Sequence, residues 1–413
     1  MSRNALNALG LAADLRTGRI SATEVMGELL ARLDRLTPVI GAVAAVDPER
    51  SLAEAKAADR RLRAGSGRAL EGLPFTVKDW IDVAGWPVSG ATGTDPGCPD
   101  RRPVRDATAV ARMRAAGAVV LAISRAMADS AAHGPTKNPR DPSRAPGGSS
   151  SGAAALVASG ASPLALGSDS GGSIRLPAGW CGVAALKPTF GRVPLTGHFP
   201  RCGALEDGRT VIGPLAATVT DLAAVLVVIA GPDGLDGGMP PVPLGDPDTV
   251  DIAALRVGSL GAEPTGPALA TLAAAGAELR TDPLPDVRDE ALELTRRYWS
   301  RAELSGAENV RLLWDWDRFR RRWLAATAGL DVVITPVATE PAPPWRESVD
   351  TDYHWTLPWS LTGAPVVVVP VGTDRGLPVA VQVVAQPWAD HVALAAARCI
   401  ETAVAPVAAE PTG

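Results

Sequence analysis

From about residue 72 the chain alternates short, almost wholly apolar runs with longer stretches of helical periodicity. Runs at 75–78, 119–123 and 164–167 read as strands, and the stretches at 108–116 and 151–159 read as helices. Strands that alternate with helices argue for an α/β fold built around a mostly parallel sheet. Before this region, residues 5–65 read as two or three helices. Leu6, Leu9 and Leu11 begin one face, and Ser21 with Glu24 forms a capping box for a helix running to about residue 36. A further helix covers 48–64, with Asp59, Arg60 and Arg61 on its solvated side.

Beyond residue 205 the pattern is looser. A helix at 220–230, capped by Thr220 or Asp221, ends at Gly231-Pro232. A Gly-, Pro- and Asp-rich loop follows over 231–250, then a strand at 255–258 and a helix at 267–275. Residues 288–328 are helical and rich in Trp and Arg. Strands at 331–335, 366–371 and 378–385 precede a closing helix at 389–402. There is no repeat of fixed period and no linker, so one domain spanning 1–413 is expected.

Composition removes several classes of function. The net charge of −5 and the lack of a basic stripe give no electrostatic reason to bind nucleic acid or an anionic membrane. The most apolar stretches, 223–230 and 366–369, are too short to span a bilayer, and Met1 is followed by an amphipathic pattern instead of a signal peptide. Cys98, Cys181, Cys202 and Cys399 show no CxxC spacing, and His133, His198, His354 and His391 are scattered. A reduced, cytoplasmic protein without metal or cofactor is expected.

Lysine is scarce. Only Lys56, Lys78, Lys137 and Lys187 occur, whereas the other 36 of the 40 basic residues are arginine. Arginine serves wherever a surface charge is enough, but only a lysine can lose its proton when buried and act as a base. Lys78 is the candidate, because it ends the apolar run Leu73-Pro74-Phe75-Thr76-Val77.

The segment 146–177 carries the chemistry. Pro146-Gly147-Gly148-Ser149-Ser150-Ser151-Gly152 is followed by a helix and then Gly167-Ser168-Asp169-Ser170-Gly171-Gly172-Ser173-Ile174-Arg175-Leu176-Pro177. Two Gly-Gly-Ser turns thus lie 24 residues apart, each against a regular element. Consecutive N–H groups in such turns form a concavity for a phosphate or for the oxyanion of an acyl-transfer intermediate. Neither turn matches the P-loop or the dinucleotide fingerprint, which weakens the phosphate reading. Gly148–Gly152 does match the G-x-S-x-G elbow with Ser150 at its centre, but no histidine downstream has a recognisable triad setting. Ser150 and Ser151 read as helix N-cap candidates, Cys181 as a packed small residue and Lys187 as a structural partner of carbonyls.

The run 147–193, with its Gly-Gly-Ser-Ser-Ser-Gly, Asp-Ser-Gly-Gly-Ser-Ile-Arg and Cys181-Gly182-Val183-Ala184-Ala185-Leu186-Lys187-Pro188-Thr189 elements, resembles the amidase signature. Residues 71–85, 134–144, 361–365 and 370–372 are similar to further family segments in the same order. The resemblance implies an α/β/α sandwich with a central twisted mixed sheet. In it, 1–65 is a helical N-terminal segment, 66–205 the catalytic core and 206–413 the rest of the sheet with the pocket helices. It implies hydrolysis of a carboxylic amide or carbamate C–N bond, with Ser173 as nucleophile, Ser149 (after a cis peptide) as proton relay and Lys78 as a neutral base. The amides of Ser170, Gly171, Gly172 and Ser173 would form the oxyanion hole, and Asp169 with Arg175 would hold the loop. An amidotransferase component, an amide-forming acyl transferase and a catalytically silent scaffold are the alternatives. The expected partner is a small-molecule amide, and a homodimer is one assembly such a chain could adopt.

Two departures concern the substrate pocket. Residues 122–132 carry small side chains where the family pattern has a Thr-Asn and an acidic-aromatic pair, which leaves the region wide around Met127 and Ala128. The chain is also short between 258 and 331. Trp314, Trp316 and Trp323 read as core or interface, and Tyr353, Trp355 and Trp359 as pocket candidates favouring a bulky apolar or aromatic acyl group.

Overall fold

Eleven strands form one sheet in the computed structural model, which describes residues 7–93, 95–199, 207–261 and 263–404; Leu6 and Cys202 lie outside these. The strands are β1 (Val43–Ala45), β2 (Pro74–Lys78), β3 (Val119–Ser124), β4 (Leu164–Asp169), β5 (Ala184–Lys187), β6 (Val211–Ala216), β7 (Arg256–Ser259), β8 (Glu278–Leu279), β9 (Val332–Pro336), β10 (Val366–Asp374) and β11 (Leu377–Ala385). Their order in space is β1-β3-β2-β4-β6-β5-β10-β11-β9-β7-β8.

The sheet is mixed, as the family resemblance implies, and not mostly parallel as the alternation of strands and helices alone suggests. Only β3-β2-β4 and β9-β7-β8 are parallel groups. Two features invert the remainder. β6, absent from the sequence reading, enters antiparallel between β4 and β5. β10 and β11 form a hairpin whose turn residues Arg375 and Gly376 both have positive φ (50° and 78°), the conformation that matches the twist of flanking antiparallel strands.

Both faces of the sheet are covered, and alternate strand residues enter different cores. Leu164 and Leu166 of β4, Ala184 and Leu186 of β5, and Val367 and Val369 of β10 join the largest cluster. Their intervening neighbours Ala165, Ala185 and Val368 pack instead with Ala153, Ala154 and Val157 of the helix Ser151–Ala158 and with Ala178 and Cys181 of the helix Arg175–Cys181. The period of two gives each strand two apolar faces, and small side chains on one of them let these helices sit close to the sheet. No helix among the described residues is long and apolar enough to cross a membrane.

The helix starts show where sequence periodicity fell short. The Ser21–Glu24 capping box forms as expected on the helix Ala22–Ile40, which continues past residue 36. Asp59, expected on a solvated face, is buried. Its carboxylate accepts hydrogen bonds from Ala22 N (2.6 Å), Thr23 N (3.1 Å) and Thr23 Oγ1 (2.5 Å), so it neutralises the N-terminus of a neighbouring helix. The helix Val219–Ile229 is capped by Thr218, not by Thr220 or Asp221. Asp221 reaches instead to Ala8 N (3.1 Å) and Leu9 N (2.9 Å), at the start of the helix Ala8–Thr17.

The helix Val219–Ile229 also receives the carboxylate of Glu401, whose two oxygens lie 3.0 and 3.1 Å from Val219 N. Burial raises this carboxyl; the hydrogen bond from Val219 opposes that, the Asp221 charge adds to it, and the group ends near pH 7 from an ordinary 4.5. A folded-state pKa above the unfolded one contributes stability that is complete below about pH 4.5 and is lost as pH rises through about 7. Glu401→Gln is therefore expected to gain melting temperature over wild type by a few degrees as pH is raised from 4.5 to 8. Thermal unfolding of both proteins across that range checks it, and a constant difference would refute the assignment.

Candidate active site

β2, β3 and β4 run parallel, so their carboxyl ends open on one edge of the sheet, where α/β folds place their crevices. Lys78 is the last residue of β2 and is fully buried. Its Nζ lies 2.6 Å from Ser149 Oγ, 3.1 Å from Ser168 Oγ and 3.4 Å from the Ser168 carbonyl. The amine also sits 4.1 Å from the centroid of the Trp80 ring. Ser168 and Trp80 were not among the expected site residues. Ser168 becomes a neighbour only through the pairing of β2 with β4, which puts Val77 opposite Leu166. Behind Lys78, the buried Asp79 accepts from Ser89 N (2.7 Å) and from Ser89 Oγ, and faces His133 Nε2 at 3.1 Å.

The two Gly-Gly-Ser turns meet. Ser150 N donates to the Ser173 carbonyl (3.0 Å), which joins the turn holding Ser149 to the turn holding Ser173. The Gly148–Ser149 peptide is cis. Ser149 is buried, whereas Ser173 is partly open. Met127 N donates to the Ser149 carbonyl (2.8 Å), and Tyr353 Oη donates to the Gly148 carbonyl (2.8 Å). Burial pushes the Tyr353 phenol well up, which keeps it protonated as a donor.

The structure excludes the elbow reading centred on Ser150. That side chain is fully buried, and its Oγ is held between the carbonyl (3.2 Å) and the amide (3.3 Å) of Ser168. Nor do Ser150 and Ser151 cap the following helix with their hydroxyls; Ser151 Oγ donates to the Met127 carbonyl.

Asp169 and Arg175, both fully buried, form a two-pronged pair with Nε–Oδ2 and Nη2–Oδ1 at 2.9 Å. Burial alone would raise the Asp169 carboxyl, but the Arg175 guanidinium outweighs it and holds the group below its ordinary range. The remaining guanidinium protons reach the Thr356 carbonyl (2.6 Å), Gln382 Oε1 (3.1 Å) and Ser360 Oγ (2.8 Å). Asp169 also accepts from Gly172 N (2.8 Å) and Ile174 N (3.1 Å). The Gly172 proton is thereby engaged by the Asp169 carboxylate. No acceptor among the described residues takes the amide of Gly171 or Ser173.

Thr356 Oγ1 donates to the Gly171 carbonyl (2.6 Å). Gly172 has φ +140°, and a Cβ there would lie 2.1 Å from Thr356 Oγ1 and 2.8 Å from Tyr353 Cδ1. Only glycine fits, by conformation and by space.

The aromatic pocket candidates separate. Tyr353 touches the site, as do Met127, which has φ +69°, and Ala128, whose amide lies 3.7 Å from the position of a Cβ on Gly148. Trp359 does not line a pocket. It is fully buried, 4.8 Å from Trp323, in a core formed with the helices Arg288–Trp299 and Gly306–Ala326. Trp355 is buried in the same core, beneath the Arg288 guanidinium (3.9 Å to its ring). Trp316 bonds the Leu361 carbonyl (2.6 Å), while Trp314 is exposed. Cys181 is buried, and its thiol is pushed up to about 12, so it is unreactive. Lys187 donates to the Pro188 carbonyl (3.1 Å).

The sequence profile of the family named Amidase matches residues 24–261 and 273–394. The chain is 33% identical to a glutamyl-tRNA(Gln) amidotransferase component from Chloroflexus aggregans, covering 91% of each protein. It is 32% identical to AtzE, a component of the 1-carboxybiuret hydrolase of Pseudomonas sp. (strain ADP), covering 94% of this chain and 96% of that one. The structure of native peptide amidase from Stenotrophomonas maltophilia superposes with a TM-score of 0.81 at 27% identity, covering 97% of this chain and 98% of the other.

Gly172→Ala is expected to destabilise the protein by about 1–3 kcal/mol, since both φ and the Thr356 hydroxyl oppose a Cβ. Adding Thr356→Ala relieves the contact with the hydroxyl but leaves the backbone cost and the 2.8 Å approaches to the Cβ of residue 356 and to Tyr353 Cδ1, so recovery should be partial. Denaturant unfolding of the single and double variants measures both.

Proposed function

The chain belongs to the amidase family, and on that premise we propose that it hydrolyses the C–N bond of a linear carboxylic amide with Ser173 as nucleophile, Ser149 as relay and Lys78 as base. The observation that carries this reading is the 2.6 Å approach of the buried Lys78 amine to Ser149 Oγ, in a turn hydrogen-bonded to the one that holds Ser173.

In a neutral Lys78 the N–H groups point to Ser168, and the lone pair is left for the Ser149 proton. Ser173 Oγ then attacks the carbonyl carbon as its own proton passes to Ser149 Oγ and that of Ser149 passes to Lys78. The oxyanion that forms takes the amides of Gly171 and Ser173, with Gly172 N held back by Asp169. Return of the proton through Ser149 to the amide nitrogen releases the amine and leaves the acyl group on Ser173. Water, deprotonated along the same relay, attacks this ester and frees the carboxylic acid. Tyr353 and Met127 act as positioning residues, because they hold the carbonyls of Gly148 and Ser149 and so aim the Ser149 hydroxyl.

The resemblance to an amidotransferase component supports a second reading, in which the ammonia released is delivered within an assembly. Turnover of simple amides by the isolated chain would argue against it.

Lys78→Ala and Ser173→Ala are each expected to lower kcat on a primary amide such as benzamide by about 10³-fold or more, read as ammonia release. Sulfonyl fluoride modification, mapped by mass spectrometry, should fall on Ser173 in wild type and slow by about 10²-fold in Lys78→Ala. Modification at Ser150, or a rate indifferent to Lys78, would overturn the mechanism.

A further inference from the structure

Trp355 and Trp359, which the sequence nominates as the apolar wall of the pocket, are committed to the core. Another aromatic residue stands against the turn that would face the substrate carbonyl. Trp299 ends the helix Arg288–Trp299 and is 42% exposed, the only indole besides Trp314 among the exposed large apolar side chains of the described residues. The position of a Cβ on Gly171 lies 3.3 Å from Trp299 Cζ2, 3.9 Å from Cη2 and 3.0 Å from Leu357 Cδ2. The benzenoid edge of the indole therefore rests on the Gly171 backbone, two residues from Ser173. Glycine at 171 is what permits this approach, because a methyl group there would meet both side chains.

The ring is held, not loose. Arg209, fully buried, places its guanidinium 4.0 Å from the Tyr298 ring and 5.8 Å from the Trp299 ring. Tyr298 Oη donates to Asp207 Oδ1 (3.0 Å), and Asp207 also accepts from Arg209 N (3.0 Å) and from the Thr210 hydroxyl (2.6 Å). Thr210 directly precedes β6, whose first residue Val211 pairs with Asp169. The cluster that fixes residues 298–299 is thus tied to the strand beside the catalytic turn. An exposed indole costs solvation free energy, and one anchored over a carbonyl-binding turn gains when an apolar group covers it.

We infer that Trp299 is a specificity-determining residue: its open indole face receives an aromatic or bulky apolar substituent of the amide, and it selects such substrates over small aliphatic ones. This rests on Ser173 being the nucleophile. Trp299 touches neither Lys78 nor the Asp169–Arg175 pair in the contacts above, so its loss should alter selectivity without disabling the nucleophile.

The test compares two reagents that differ only in the group next to sulfur, phenylmethanesulfonyl fluoride and methanesulfonyl fluoride. In both, the serine oxygen forms the S–O bond, fluoride leaves with the S–F electron pair, and the serine proton is taken up by the base. The measured quantity is the ratio of second-order rates of Ser173 modification, phenylmethyl over methyl. Trp299→Ala is expected to lower this ratio about fivefold to tenfold, and Trp299→Phe to retain most of it, the size of one aromatic contact. An unchanged ratio in Trp299→Ala, with both reagents still marking Ser173, overturns the inference and leaves the mechanism standing. Failure of both reagents to mark Ser173 in wild type overturns the nucleophile assignment and this inference with it.

Discussion

The site depends on one buried ion pair. Bringing Asp169 and Arg175 out of water costs several kcal/mol for each ion, so the pair persists only because each charge is matched in full. The carboxylate takes two guanidinium protons and the amides of Gly172 and Ile174, and the guanidinium extends to Thr356, Ser360 and Gln382. This one network joins the end of β4, the turn carrying Ser173, the helix Leu357–Thr362 and the middle of β11. Its cost and its directionality have the same origin. A low-dielectric interior makes unmatched charge expensive, and so permits a single arrangement of the turn.

The network also divides labour among the glycine-rich amides. Gly172 N is held by Asp169, whereas the amides of Gly171 and Ser173 on either side take no acceptor among the described residues. Thr356 fixes the Gly171 carbonyl from the other side, and the lack of a Cβ on Gly172 makes room for it. The opposite wall is built on the same logic. Tyr353 binds the carbonyl of the Gly148–Ser149 peptide and Met127 the next one, and Ser150 laces the two walls together through its amide and hydroxyl. Lys78 is delivered by a strand that is buried throughout.

Much of this was legible in the residues alone. The apolar periods located most strands and helices, because a residue's side-chain direction follows from its position along a strand or helix. The Ser21–Glu24 box was legible because both partners lie within one turn. Asp59 and Asp221 were misread for the opposite reason: each caps a helix remote in sequence, and a charged residue alone does not reveal whether its partner is water or a distant amide. β5, β6 and the short β1 and β8 were missed because their order comes from pairing with neighbours, not from intrinsic pattern.

The residue types of the site, a lone lysine after an apolar run and serines set among glycines, were determined by the sequence itself, because the chemistry of a base and of a nucleophile belongs to the side chain. Which of those groups meet was decided only by the tertiary structure. The β2–β4 register placed Ser168 beside Lys78, the Asp169 carboxylate engaged the Gly172 amide, and packing against Trp323 took Trp359 into the core while Trp299 remained open above Gly171. Composition cannot say which of several tryptophans stays exposed. That follows from how many apolar neighbours each one finds once the helices have docked, a property of the whole fold.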